Sequence, residues 1–140
     1  MSEVIDVAIG VLVMTCRGQP QILIARRPGD AVLGGYWELP GGKAEDGETM
    51  PQCLVREFEE ELGVTVAVQR ELAVVEHVYE HAHVRLHAFY CTHVRGEPRN
   101  IACAAHKWVT PRDLMHHEFP PANGALIKQV AAELSPHDCA

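Results

Sequence analysis

No run of apolar residues in this 140-residue chain is long enough to span a bilayer, so a membrane role is not indicated. The first residues, MSEVIDVAIGVLV, carry neither a basic leader nor a small-residue cleavage site, so no secretory signal is expected and a cytoplasmic location is the default. The five cysteines, Cys16, Cys53, Cys91, Cys103 and Cys139, are odd in number and contain no CxxC pair, which argues against a disulfide framework and against a zinc site. They read as small buried apolar residues, with Cys139 on a loose tail. An excess of basic residues is also missing. The formal charge of -7 disfavours a groove for polymeric DNA or RNA, which needs a basic stripe to displace counterions. A small nucleotide brought in with a metal ion remains compatible with that charge. No internal repeat, low-complexity tract or interdomain linker is evident, and the length suits one domain, residues 1–140 with a core from about residue 4 to residue 134.

The pattern of what is present is more specific. Ile5, Val7, Ile9, Val11 and Val13 alternate with Asp6, Ala8, Gly10 and Leu12, a period of two that predicts a largely buried strand. Gly18-Gln-Pro20 predicts a turn, and Gln21 to Ala25 predicts the hairpin partner, ending at Arg26 and Arg27. Residues 28–35 and the Pro40-Gly41-Gly42 segment read as loops. Strands are predicted over 64–68, 73–79, 84–92 and 106–109, a short helix from Thr110-Pro-Arg-Asp, and a closing helix over 124–134. The helix with the strongest signals spans about Met50 to Leu62: Thr49 and Gln52 form a capping-box pair, Pro51 is tolerated in the first turn, and Gly63 is a left-handed stop.

Much of the acid lies between Glu38 and Glu61, and it asks for a local cause. On the predicted helix Glu57, Glu60 and Glu61 stand at i, i+3 and i+4 on one face, beside the core face formed by Leu54, Val55, Phe58 and Leu62. Two like charges ~5 Å apart at an effective dielectric of ~20 repel by roughly 3 kcal/mol, so such a cluster calls for a cation. Oxygen donors of this kind suit magnesium or manganese, whereas zinc recruits histidine or cysteine. The competing reading is a solvated helix face partly neutralised by Arg56.

Gly42, Glu48, Arg56, Glu57, Phe58, Glu60, Glu61, Gly63 and Val64 have the spacing of the Nudix box, and the chain resembles that family of hydrolases. Phe58 stands where the family has a smaller aliphatic residue. The likeness is greatest to the MutT-type 8-oxo-dGTP diphosphatases and runs from about Val4 to Val130, through Ile24-Ala-Arg-Arg27, Trp37-Glu-Leu-Pro-Gly-Gly-Lys43, Gly96-Glu-Pro98 and Phe119-Pro-Pro-Ala-Asn123. It implies an α/β/α sandwich around a mixed sheet, with magnesium held by the Gly41 carbonyl and by Glu57, Glu60 and Glu61. Glu57 is the expected base and Arg56 the residue that orients Glu60; Glu48 either braces the loop or caps it. The resemblance further implies that Arg27 contacts the substrate near its sugar or phosphate, that Glu38, Leu39, Pro40 and Gly41 line the pocket, and that Asn123 reads a purine edge. As a helix N-cap, Asn123 would do none of this.

Related enzymes often add an acidic residue before the late strand, but residues 100–108 contain no carboxylate, leaving His106 as the nearest alternative base. His81, His83 and His87 read as a polar strand face opposite Val84, Leu86, Ala88 and Tyr90, and Trp37 and Trp108 as pocket flank or core packing. The implied activity is metal-assisted hydrolysis of a nucleoside triphosphate, 8-oxo-dGTP or a related purine, to monophosphate and pyrophosphate by a monomeric enzyme that cleanses the nucleotide pool. The alternatives are a Nudix enzyme for a pyrimidine triphosphate, ADP-ribose or a dinucleotide, and a silent module that recognises 8-oxoguanine.

Overall fold

The computed structural model describes residues 3–29 and 34–134; Cys139 and the middle of the expected loop over 28–35 lie outside them. The alternating segment forms β1, Val4–Cys16, and organises the rest of the sheet. Ile9 and Val11 point to one side and Ala8 and Leu12 to the other, all at most 5% exposed, so both faces of this strand are core. Along one edge β1 pairs in parallel with β6, His83–Arg95, from Val4 opposite His83 to Val13 opposite Thr92. Its other edge is divided. Val13–Cys16 forms the expected hairpin with β2, Gln19–Arg26, while Val7–Ile9 pairs with β4, Gly41–Lys43.

Past Ile22 the strands β1 and β2 separate, and residues 37–43 fill the opening. Trp37–Glu38 forms β3 against Ala25 and Arg26, and Gly10 donates its amide to the Pro40 carbonyl at 2.8 Å. The Pro40-Gly41-Gly42 segment is therefore a bend running into a short strand, where the sequence predicts only a loop. Its glycine content hides this, because a strand is ordinarily recognised by its side chains. Gly41 must be glycine here: a Cβ would stand 1.9 Å from the Ala8 carbonyl oxygen.

Two further strands complete a mixed sheet of seven. β7, Ala105–Val109, adds to the outer edge of β2, and β5, Thr65–Val78, to the outer edge of β6. Two strands are predicted over 64–68 and 73–79, but β5 is continuous. Register shifts between Val68 and Arg70 and between Glu71 and Ala73 absorb the polar interruption and let pairing resume.

Helix α1, Met50–Leu62, has the predicted ends: Thr49 and Gln52 cap each other reciprocally, and Gly63 closes the helix at φ 70°. Its Cys53, Leu54, Phe58 and Leu62 pack on Ala8, Leu12, Leu23, Phe89 and Cys91. The opposite sheet face is covered by α2, Pro111–Leu114, capped by Thr110, and by α3, Gly124–Leu134, through Leu114, Leu126, Ile127 and Val130. The result is the α/β/α sandwich around a mixed sheet expected from sequence. Among the described residues no helix is long and apolar enough to cross a membrane. Cys53 and Cys91 are buried as expected, Cys16 is exposed and Cys103 half-buried, and all four thiols are free.

Phe58 is wholly buried because Gly10 makes room for it: a Cβ at Gly10 would lie 2.5 Å from the Phe58 ring and 3.2 Å from Leu54. Gly10→Ala should therefore lower unfolding free energy in urea by about 1–3 kcal/mol through overpacking. Adding Phe58→Leu should recover part of that loss; strictly additive penalties would show that the ring does not rest on Gly10.

Candidate active site

Where β1 and β2 part, a cavity of about 350 Å³ opens on the face covered by α3. Its floor is apolar, formed by Val7 and Ile9 of β1, Val84 and Leu86 of β6, and Leu39. Its polar end is formed by Glu57 and Glu61 of α1, Glu38 of β3, Gly41 and Gly42 of β4, Arg27 and Lys43. Tyr79 and His81, at the turn between β5 and β6, and Asn123, from the 3-10 turn Pro121–Asn123, complete the wall.

The helix period explains two of the carboxylates. Glu57 and Glu61 are separated by one helical turn, and each directly precedes a fully buried residue, Phe58 or Leu62. Burying the apolar partner draws the carboxylate off the solvent side. Glu57 comes to rest on Gly42, where a Cβ would lie 2.5 Å from its carboxyl carbon. Both glycines of the pair thus serve contacts internal to the protein, Gly41 with Ala8 and Gly42 with Glu57.

Three acids converge on a space with little water, and the ionised forms suffer for it. Glu61 is pushed up to about 8, first by burial and then by the charges of Glu38 and Glu57. Glu57 is also raised by burial, although Arg56 opposes the shift, and its carboxyl group accepts a hydrogen bond from that of Glu61. Burial raises Glu38 as well, against the pull of the Arg27 guanidinium 2.9 Å away.

Arg56 stands outside the cavity wall and holds the acids from behind. Its Nε and Nη2 grip the two Glu48 oxygens at 2.7 and 2.9 Å, and Nη2 also donates to the Lys43 carbonyl at 3.1 Å. Its Nη1 bridges Glu57 at 2.9 Å and Glu60 at 3.0 Å. Glu48, which also accepts the Glu45 amide, is drawn down to about 2 by this grip and acts as a brace. The Arg56–Glu60 pair expected from the i, i+4 spacing is present, together with a bond to Glu57 that the spacing does not reveal.

Of the expected site residues, Arg27, Glu38, Leu39, Gly41, Glu57, Glu61 and Asn123 meet at the cavity. Glu60 does not line it: the side chain is 57% exposed and turned to Arg56. Pro40 is buried but contributes its carbonyl to Gly10 and stays off the wall. Among the described residues, no three carboxylate, imidazole or thiol groups are already drawn together as a metal cage. His106 bonds Asn100 and, like Trp37 and Trp108, does not line the cavity. The segment that lacks a carboxylate has a structural task, since Arg99 donates its amide to the Leu62 carbonyl and Ile101 and Ala102 donate theirs to Glu61.

His83 and His87 belong to the expected polar face, near Glu76 and Asp6 at 3.5 and 2.8 Å. His81 does not belong to that face. It stacks on Tyr79, with ring centroids 5.1 Å apart, and lines the cavity. Sequence reading misses both rings, because strand alternation stops at the turn and says nothing about where turn side chains point.

The family model described as NUDIX domain matches residues 10–129. Over 126 residues the chain is 31% identical to the 8-oxo-dGTP diphosphatase of Escherichia coli (strain K12), covering 90% of this chain and 95% of that relative. It is also 31% identical over 112 residues to the CTP pyrophosphohydrolase of the same strain, covering 80% and 83%. Among solved structures, the E. coli ORF135 protein is similar at a TM-score of 0.80 and 27% identity, over 99% of this chain and 96% of that one.

The charge balance at the cavity gives a test in metal-free protein. Glu61 binds its proton more tightly folded, at about 8, than at the ordinary 4.5, so its stabilising contribution is complete below 4.5 and is lost as pH rises through about 8. In EDTA the melting temperature should fall between about pH 5 and pH 8.5, and Glu61→Gln should melt higher than the parent at the upper pH only. An equal difference at both pH values would show that Glu61 is not held protonated by its surroundings.

Proposed function

We propose that this chain, which belongs to the Nudix hydrolase family, hydrolyses a purine nucleoside triphosphate, 8-oxo-dGTP above others, to the monophosphate and pyrophosphate with magnesium or manganese as cofactor. The observation that carries the reading is the two-part cavity. One end holds Glu38, Glu57 and Glu61 beside a glycine strand; the other is apolar and bears Asn123.

The donor set fits a hard divalent cation. It consists of oxygens, and two of the carboxylates are driven toward protonation by burial and by one another, which is the electrostatic demand a cation meets. Glu57, Glu61 and the Gly41 carbonyl would hold it, with Glu60 joining once its side chain leaves Arg56. When bound, such an ion neutralises phosphate oxygens and acidifies a water. Glu57 takes the proton of the attacking water, and Arg56 keeps its carboxylate aimed through the 2.9 Å bond. Arg27, fixed to Glu38, binds the substrate near its sugar or phosphate.

Base reading falls to Asn123. It is only 7% exposed, and among the described residues its side-chain amide has no hydrogen-bond partner while it lines the cavity. An amide offers both donor and acceptor, as the edge of an oxidised purine requires. Turnover of 8-oxo-dGTP would place the enzyme in nucleotide-pool cleansing and mutation avoidance. A silent recognition module would have no use for buried carboxylates whose ionisation is disfavoured without a cation.

A panel of 8-oxo-dGTP, dGTP, dATP, CTP, dCTP and ADP-ribose with magnesium tests the reading. The expected outcome is the highest kcat/KM for 8-oxo-dGTP, with kcat reduced about 10²–10⁴-fold by Glu57→Gln while the fold is retained. Preference for CTP would overturn the purine assignment, and unchanged rates in both Glu57→Gln and Glu61→Gln would remove α1 from the chemistry.

A further inference from the structure

Two backbone segments meet across the cavity at one side chain, and the sequence gives no hint of the contact. The first is the turn from β5 to β6, where Tyr79 and Ala82 exchange backbone hydrogen bonds of 2.7 and 3.3 Å and leave Glu80 and His81 at the tip. The second is the 3-10 turn Pro121–Asn123, which presents Asn123 to the cavity.

This 3-10 turn is poorly secured by its own residues. Pro120 and Pro121 have no N–H, and no side chain caps the turn. Its internal bonds run from the Asn123 amide to the Pro120 carbonyl at 2.9 Å and from the Gly124 amide to the Pro121 carbonyl. The first N–H that the turn can offer to the rest of the protein belongs to Ala122. That residue is 4% exposed, so water is a poor substitute partner, and an unpaired buried amide is costly. The Tyr79 hydroxyl accepts this N–H at 3.0 Å. Tyr79 is itself held between His77 and His81, with ring centroids 4.5 and 5.1 Å away.

We infer that Tyr79 is a positioning residue for base selection: by accepting the Ala122 amide, its hydroxyl fixes the 3-10 turn to the sheet and so sets where Asn123 meets the nucleobase. The inference rests on Asn123 as the base-reading group. The anchorage of α3 is separate, because Leu126, Ile127 and Val130 are 1%, 5% and 0% exposed in the core. Removing the hydroxyl therefore loosens the turn and leaves the helix docked. Because Glu57 and Glu61 lie on α1, across the cavity from this turn, the chemical step keeps its geometry while base discrimination declines.

Tyr79→Phe tests this, since it retains the ring and its stacking and deletes only the acceptor. The kcat/KM ratio of the preferred over a disfavoured nucleotide should fall about tenfold, through KM, with kcat for the preferred nucleotide nearly unchanged. Asn123→Ala should lower the same ratio, and Tyr79→Phe added to it should lower it no further, because both act through one contact. Calorimetric titration of 8-oxo-dGMP and dCMP without metal supplies a readout independent of turnover. There the parent should separate the two ligands more than Tyr79→Phe does. An undiminished ratio in Tyr79→Phe, or independent additive losses in the double variant, would overturn the tether. A parent enzyme that favours pyrimidines but loses that preference in Tyr79→Phe would refute the purine assignment and leave the tether standing.

Discussion

Burial of Phe58 and Leu62 is the constraint on which the site depends. Each is fully buried between α1 and the sheet, and each carries the preceding glutamate to the edge of the core. A carboxylate there loses much of its hydration, so Glu57 and Glu61 are held where ionisation is unfavourable until positive charge arrives. Packing supplies the free energy that keeps them in place. A cluster of acids alone would move apart into water; these acids sit on a helix whose apolar face cannot be released without exposing its core partners.

Arg56 offsets part of this cost. Its guanidinium satisfies Glu48 with two bonds and shares Nη1 between Glu57 and Glu60, so one side chain connects the loop after β4 to the acidic turn of α1. The planar fork makes this possible, and lysine could not reproduce it. The same arrangement distinguishes the three box glutamates. Glu57 is held at the cavity by Arg56, Glu61 is pressed into it by burial, and Glu60 is drawn outward.

The sheet contributes the space. Because β1 and β2 pair only near their turn, the strands diverge and admit residues 37–43 between them. That insertion carries Glu38 and the two glycines to the acids of α1, while Val7, Ile9, Val84 and Leu86 continue as an apolar floor. Charge and apolar surface are thereby juxtaposed in one cavity, as recognition of a base attached to phosphates requires.

Local rules determined much of this from the sequence alone. The period of two identified β1, the capping box and Gly63 delimited α1, and the box spacing singled out Arg56, Glu57, Glu60 and Glu61, because each of these signals lies within a few residues of chain. Contacts between distant segments were decided only by tertiary structure. That Gly41-Gly42 forms a strand depends on Ala8 and Glu57, that Glu60 turns outward depends on Arg56 being anchored by Glu48, and that Tyr79 reaches Ala122 depends on two turns 43 residues apart meeting at one cavity. Periodicity records which face a residue occupies on its own element; it carries no information about which other element that face will meet.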